Sequence, residues 1–259
     1  MDEEVLAPFV ERPERAGIYL DFDGTLSEIA LVPSEARPVE GATELLERLG
    51  RSFRLVAIVS GRSAAELLQW LGPGVEIWGL HGAQRVRQGR VELSDRARPY
   101  ADLMDRVRLE AEHRVGALAL SGVVLEDKGV MLGLHFRSAA DPDRARRSLD
   151  ELAADLATEY GLTRAGGRLA FELRPPIAFA KSQVVLERSR ETGLGAAMFV
   201  GDDRVDISAF DALDELEKDG VCVARVAVRS SEAPPELLDR ADLIVDGPAG
   251  VVTLLRRLI

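Results

Sequence analysis

Residues 17–26, Gly-Ile-Tyr-Leu-Asp-Phe-Asp-Gly-Thr-Leu, decide the fold. Gly17 to Leu20 is a short apolar run that reads as a buried strand, and it empties directly into DFDGTL. In extended backbone Asp21 and Asp23 point to one side and Phe22 to the other, so two carboxylates meet at one strand end. Doubly wound sheets bind ligands in the crevice outside the carboxyl ends of their parallel strands. Gly24 can take the sharp turn that leaves both acids exposed there.

Working outward, similar runs recur at Leu55 to Val59, Val75 to Leu80, Ala196 to Val200, Val221 to Val228 and Asp242 to Val245. They are too short for helices and rich in branched residues, as buried parallel strands are. Helical patterns separate them at Ala42 to Leu49, Ala64 to Leu71, Gln183 to Glu191, Ile207 to Leu216 and Val251 to Leu258. Strands alternating with helices predict an α/β fold, a doubly wound and mostly parallel sheet in a Rossmann-like core. The alternation breaks between about Arg98 and Phe179. There a helical stretch precedes the paired strands VVLEDKG and MLGLHFR, and a long helix is opened by Asp141 and Pro142. Two further strands, near Leu162 to Arg164 and Leu169 to Leu173, have Gly166 and Gly167 placed for a hairpin turn. The pattern predicts a core of residues 1–100 and 180–259, with an α+β domain of residues 101–179 inserted in it. The acidic, proline-interrupted start, up to about Arg15, is expected to fray.

The chain has 259 residues, 46% of them hydrophobic, and a formal net charge of -11, which argues for real cores and against nucleic acid or an anionic membrane as partner. A small-molecule substrate and a monomer are the expectation. Cys222 is the only cysteine, so a disulfide scaffold and a cysteine zinc cluster are excluded and a reducing cytoplasm fits. No signal-peptide pattern opens the chain and no apolar run is long enough to span a bilayer.

Three more segments fall where predicted strands end or a helix begins. Ser60-Gly61-Arg62 follows the strand Leu55 to Val59. Lys181 stands at a helix start, where a cation opposes the helix dipole unless an anion such as phosphate lies alongside. Gly201-Asp202-Asp203, with Asp206 just beyond, is a carboxylate cluster that repels itself without a cation. Each segment alone is as readily a loop, a solvated lysine or a helix cap; together, in this order around one sheet, they carry chemistry.

DFDGTL and these three segments resemble, in order, the signatures of the haloacid dehalogenase superfamily of phosphotransferases. The resemblance implies that Asp21 attacks phosphorus and that Asp23 protonates the leaving oxygen and then activates water. It implies a Mg2+ ion held by Asp21, the Asp23 backbone carbonyl and Asp202, with Asp203 and Asp206 orienting the surroundings. Thr25, Ser60, Gly61 and Lys181 would bind the phosphate.

Within the superfamily the chain is most similar to the trehalose-6-phosphate phosphatase family, from about Ile18 to Phe210. The segments that carry this are GLHGAQ (79–84), VLEDKG ahead of LHFR (124–137), FELRP (171–175) and GDDRVD (201–206). The resemblance implies a cap domain whose Glu126, Lys128, Arg137, Glu172 and Arg174 read the sugar. Glu126 and Lys128 lie two apart, as do Glu172 and Arg174, so each pair shares a strand face. Four departures bear on which sugar phosphate is read: Gln84 where glutamate is usual, Ser182 where glycine is usual, and Val205 and Ile207 where threonine and glutamate are usual. Sucrose-phosphate and mannosylglycerate-phosphate phosphatases, phosphomannomutases, and a non-catalytic sugar-phosphate sensor stay open as alternatives. His81 is assigned a supporting role, and Trp70 and Trp78 core packing.

Overall fold

A computed structural model describes residues 2–30, 35–166, 169–231 and 233–259. The chain forms two compact units, Met1–Glu92 with Phe179–Ile259, and Leu93–Ala178. In chain order, the elements before the second unit are α1 (Asp2–Glu11), β1 (Ala16–Leu20), α2 (Ala42–Ser52), β2 (Leu55–Val59), α3 (Ala64–Leu71), β3 (Glu76–Gly79), β4 (Gln84–Arg87) and β5 (Arg90–Leu93). Then come α4 (Ala101–Ala117), β6 (Val124–Asp127), β7 (Leu132–His135), α5 (Pro142–Tyr160), β8 (Thr163–Gly166) and β9 (Ala170–Arg174). The chain finishes with α6 (Lys181–Thr192), β10 (Ala196–Gly201), α7 (Ile207–Lys218), β11 (Cys222–Arg229), α8 (Pro235–Asp239), β12 (Leu243–Asp246) and α9 (Gly247–Arg256).

The large sheet has the order β12-β11-β10-β1-β2-β3-β4-β5, parallel from β12 through β3. Alternate residues of each central strand feed two cores. Ile18, Leu20, Val56, Ile58, Met198 and Val200 pack on one face with side chains of α1, α2, α3 and α9. Tyr19, Ala57, Val59, Ala197 and Phe199 pack on the other with side chains of α6, α7 and α8. The mostly parallel, doubly wound sheet expected from the alternation is thus present.

Two features depart from the expectation. The first residues do not fray: α1 buries Leu6 and Phe9, one turn apart, in the first core. Strands β4 and β5 were unanticipated; β4 runs antiparallel to β3, and β5 is the sheet edge. Their Gln-Arg-Val-Arg and Arg-Val-Glu-Leu sequences mix polar and apolar residues as edge strands do.

The second unit is a four-stranded antiparallel sheet, β6-β7-β9-β8, whose Leu132, Leu134, Phe171 and Leu173 are buried. Helix α5 packs against β8 and β9 and beside α4. It opens as its sequence suggests, with the Asp141 carboxylate accepting from the Arg144 amide at 2.9 Å and Pro142 in the first turn. Gly166 ends β8, and Gly167 lies outside the described residues.

Candidate active site

From β1 the chain winds outward through β2 and β3, and from β10 outward through β11 and β12, so the winding reverses between the adjacent β1 and β10. Asp21 follows one of these strands and Asp202 the other; the Asp21 amide donates to the Val200 carbonyl at 3.0 Å. The two acids therefore stand at the topological switch point. Gly24 has φ +72°, and a Cβ there would lie 1.9 Å from Asp202 Oδ2, so only glycine permits this approach. The Thr25 hydroxyl, fully buried, donates to Asp202 Oδ1 at 3.3 Å. The hydroxyl expected to meet phosphate thus bonds a carboxylate.

Lys181, the first residue of α6, is buried, and its Nζ lies 2.7 Å from Asp21 Oδ1 and 2.7 Å from Asp206 Oδ1. These carboxylates supply the negative charge that a lysine at a helix start requires, the place expected for phosphate. Asp206 Oδ2 accepts from the amides of Asp202 and Asp203, both at 3.0 Å. Both oxygens of Asp206 are thus engaged, Oδ1 by Lys181 and Oδ2 by the loop after β10. Asp203 is exposed and caps the short helix Arg204–Asp206, accepting from the Arg204 amide at 2.5 Å.

Burial pushes the Asp21 carboxyl up to about 7; Lys181 pulls it down and Asp206 adds to the rise. Burial also raises Asp202, to about 8, helped by the charges of Asp21 and Asp206. Burial opposes the charge of Lys181, but Asp206 and Asp21 beside it hold the ammonium above its ordinary range. Single oxygens of Asp21, Asp202 and Asp206 lie within 4.8 Å of one another. A buried, all-oxygen set, in which Asp21 and Asp202 hold protons near neutrality, is compatible with a hard divalent cation.

Ser60 is buried at the end of β2, and its Oγ accepts from the Arg62 amide at 3.2 Å. Gly61 is exposed beside it. The turn around His81 braces this loop: the His81 amide donates to the Ser60 carbonyl and the Leu80 amide to the Arg62 carbonyl, each at 2.8 Å. Gln84 Oε1 accepts from the Ala64 amide, in the first turn of α3, at 2.9 Å. Gln84 therefore keeps the acceptor that a glutamate would offer at that position. Asp23 is not part of the buried carboxylate cluster. Its side chain is 39% exposed and is gripped at both oxygens by Arg62, at 2.6 and 2.7 Å. Arg62 stands in the sequence only as the last residue of Ser60-Gly61-Arg62, with no mark of this partner. The pairing spans 39 positions along the chain, which no local pattern reveals.

On the four-stranded sheet, Glu126, Gly133 and Glu172 lie in one row. Lys128 Nζ stands 3.4 Å from Glu126 and 3.3 Å from Glu172, and Arg174 Nε donates to Glu172 at 2.5 Å. Burial works against the Glu172 charge, but Arg174 and Lys128 hold its carboxyl below the usual range. His135 joins this cluster, with Nε2 2.8 Å from Glu126; its place in LHFR, two residues before Arg137, was the missed signal. Arg137 lies in the exposed turn after β7 and makes no ion pair among the described residues.

Residues 19–239 match the family model of trehalose-phosphatase. The chain belongs to the trehalose-phosphatase family. The trehalose-phosphate phosphatase of Mycobacterium leprae is 32% identical over 229 residues, covering 83% of this chain and 51% of the relative. This trehalose-phosphatase family member thus spans about half the length of that curated relative. The C-terminal domain of Candida albicans trehalose-6-phosphate phosphatase shares its fold, with a TM-score of 0.68 at 24% identity over 99% of this chain and 96% of that one. A haloacid dehalogenase-like hydrolase from Bacteroides thetaiotaomicron does so with a TM-score of 0.60 at 15% identity, over 94% and 99% of the two chains. Among the described residues no helix is long and apolar enough to cross a membrane.

Proposed function

We propose that this protein hydrolyses trehalose 6-phosphate to trehalose and phosphate through an aspartyl-phosphate on Asp21. The observation that carries this is the placement of Asp21: at the switch point of a trehalose-phosphatase family sheet, buried, beside Asp202 and 2.7 Å from Lys181. Ser60, Gly61 and Lys181 bind or neutralise the phosphoryl oxygens, while the Thr25 hydroxyl holds Asp202. The Asp21 carboxylate attacks phosphorus as the bond to the sugar oxygen breaks, and Asp23 delivers the proton that oxygen needs. Asp23 then takes a proton from water, whose oxygen attacks the acyl phosphate and frees Asp21.

The acidic pocket fits a magnesium ion, which would be held by Asp21, Asp202 and the Asp23 carbonyl, with Asp203 and Asp206 shaping the loop. When bound, it supplies the positive charge that lets an anionic carboxylate approach an anionic phosphate. Glu126, Lys128, Glu172, Arg174 and Arg137 would read the sugar, carboxylates accepting from paired hydroxyls and the cations donating. The single cysteine supports a reducing, cytoplasmic setting.

Phosphate release from trehalose 6-phosphate, sucrose 6-phosphate, glucose 6-phosphate and mannosyl phosphoglycerate, with magnesium and with chelator, tests this. The expected result is a preference for the first that chelation abolishes. Preference for another ester would reassign the substrate, and tight binding with no phosphate release would make the protein a sensor.

A further inference from the structure

We infer that Arg62 is the positioning residue of Asp23, holding the acid–base carboxylate in its working orientation; this rests on the phosphatase reading above. Asp23 sits outside the buried cluster with a side chain 39% exposed, and a free carboxylate there would rotate in water. Arg62 prevents that. Its Nε donates to Asp23 Oδ2 at 2.7 Å and its Nη2 to Oδ1 at 2.6 Å, the two-pronged geometry peculiar to guanidinium.

The arginine is itself fixed from three sides. Its backbone is held by Ser60 Oγ and by the Leu80 amide. Its guanidinium lies 5.6 Å from the Phe22 ring centre and 5.0 Å from that of Trp70, two rings stacked 5.2 Å apart. Its Nη1 approaches Glu66 at 3.8 Å. An arginine only 10% exposed, stacked and forked is unlike a loose surface ion pair. Phe22 lies between the two proposed catalytic aspartates, so the residue that separates them also forms part of the arginine's seat.

The fork suits proton delivery. One Asp23 oxygen can leave its N–H to carry the proton to the departing sugar oxygen, while the other stays bonded and keeps the side chain in place. As the phosphorus–oxygen bond to the sugar breaks and that to Asp21 forms, the proton passes from Asp23 to the sugar, and the Asp23 carboxylate returns to the two-pronged grip. Lysine offers a single point of charge and cannot do both.

The test compares single-turnover rates on trehalose 6-phosphate with the nitrophenolate burst from p-nitrophenyl phosphate, whose leaving group departs without a proton. For Arg62→Ala and Arg62→Lys the expected loss is about ten- to a hundredfold on the sugar ester, in kcat with KM within about threefold, and under about threefold in the burst. In an Asp23→Asn background, Arg62→Ala should cost under about twofold more on the sugar ester. Arg62→Lys keeps a cation over the rings, so it carries the test should Arg62→Ala fail to fold. Equal losses on both substrates, a loss carried by KM, rescue by lysine, or full additivity with Asp23→Asn would overturn the role of Arg62 alone. A wild-type protein that acts on neither ester would overturn the phosphatase reading, and this one with it.

Discussion

Stripping the protein of divalent cations and then titrating in magnesium should release protons. With burial holding the Asp21 carboxyl at about 7 and the Asp202 carboxyl at about 8, the metal-free pair at pH 7 shares more than one proton. A cation between them favours the ionised forms and expels those protons. At pH 9 the same carboxyls retain only about 0.1 proton together. Calorimetric titrations in buffers of different ionisation enthalpy read the released protons as the slope of observed heat against buffer heat. The expected slope is about 1 to 1.5 protons at pH 7 and close to zero at pH 9, with apparent affinity rising by about tenfold or more between pH 6 and 7. Absence of release at pH 7, or release that grows with pH, would mean that these carboxylates are already ionised without metal. The shared buried pocket would then be wrong.

The same shifts set the pH dependence of stability. Because folding raises the Asp21 and Asp202 carboxyls from 3.8 to about 7 and 8, their contribution favours the fold at low pH and is lost as pH rises through those values. Under chelator the thermal midpoint should fall from pH 6 to 9, and magnesium should restore it chiefly at the alkaline end. Phe9→Ala should cost about 3 to 5 kcal/mol by leaving a cavity under α1. Urea unfolding followed by tryptophan fluorescence would check this, because Trp70 and Trp78, the two tryptophans, both lie in the large-sheet unit. Gln84→Glu should change stability by less than about 1 kcal/mol, since the acceptor for the Ala64 amide survives, whereas Gln84→Leu should cost about 1 to 3 kcal/mol in the same assay.

The central strands were legible because burial on both faces demands uninterrupted apolar runs: Leu55 to Val59 is predicted and found with the same ends, and β1 and β10 each gain one residue. The edge hairpin was not, because one solvated face admits arginines and glutamines that break the run. Helix α1 was masked by its acidic first turn and by Pro8, although Leu6 and Phe9 already carried the helical spacing. At the site, Asp21, Asp202 and Lys181 were nameable because each follows a strand or begins a helix. What Lys181 touches was not, because Asp21 and Asp206 come from opposite ends of the chain and are joined only by sheet order. The Asp23–Arg62 grip is the same kind of miss, a contact made by the adjacency of β1 and β2. In the smaller unit, alternation placed Glu126 and Glu172 on one face, while the interstrand register that sets them in a row with Gly133 needed the fold.

Acid quenching during turnover of trehalose 6-phosphate, followed by peptide mass spectrometry, tests the covalent route most directly. The account predicts one added phosphoryl group on the peptide that carries Asp21, and no turnover in an Asp21→Asn protein that unfolds at the wild-type midpoint or above. Phosphate release that persists in that variant, or a phosphoryl group trapped on another residue, would contradict it.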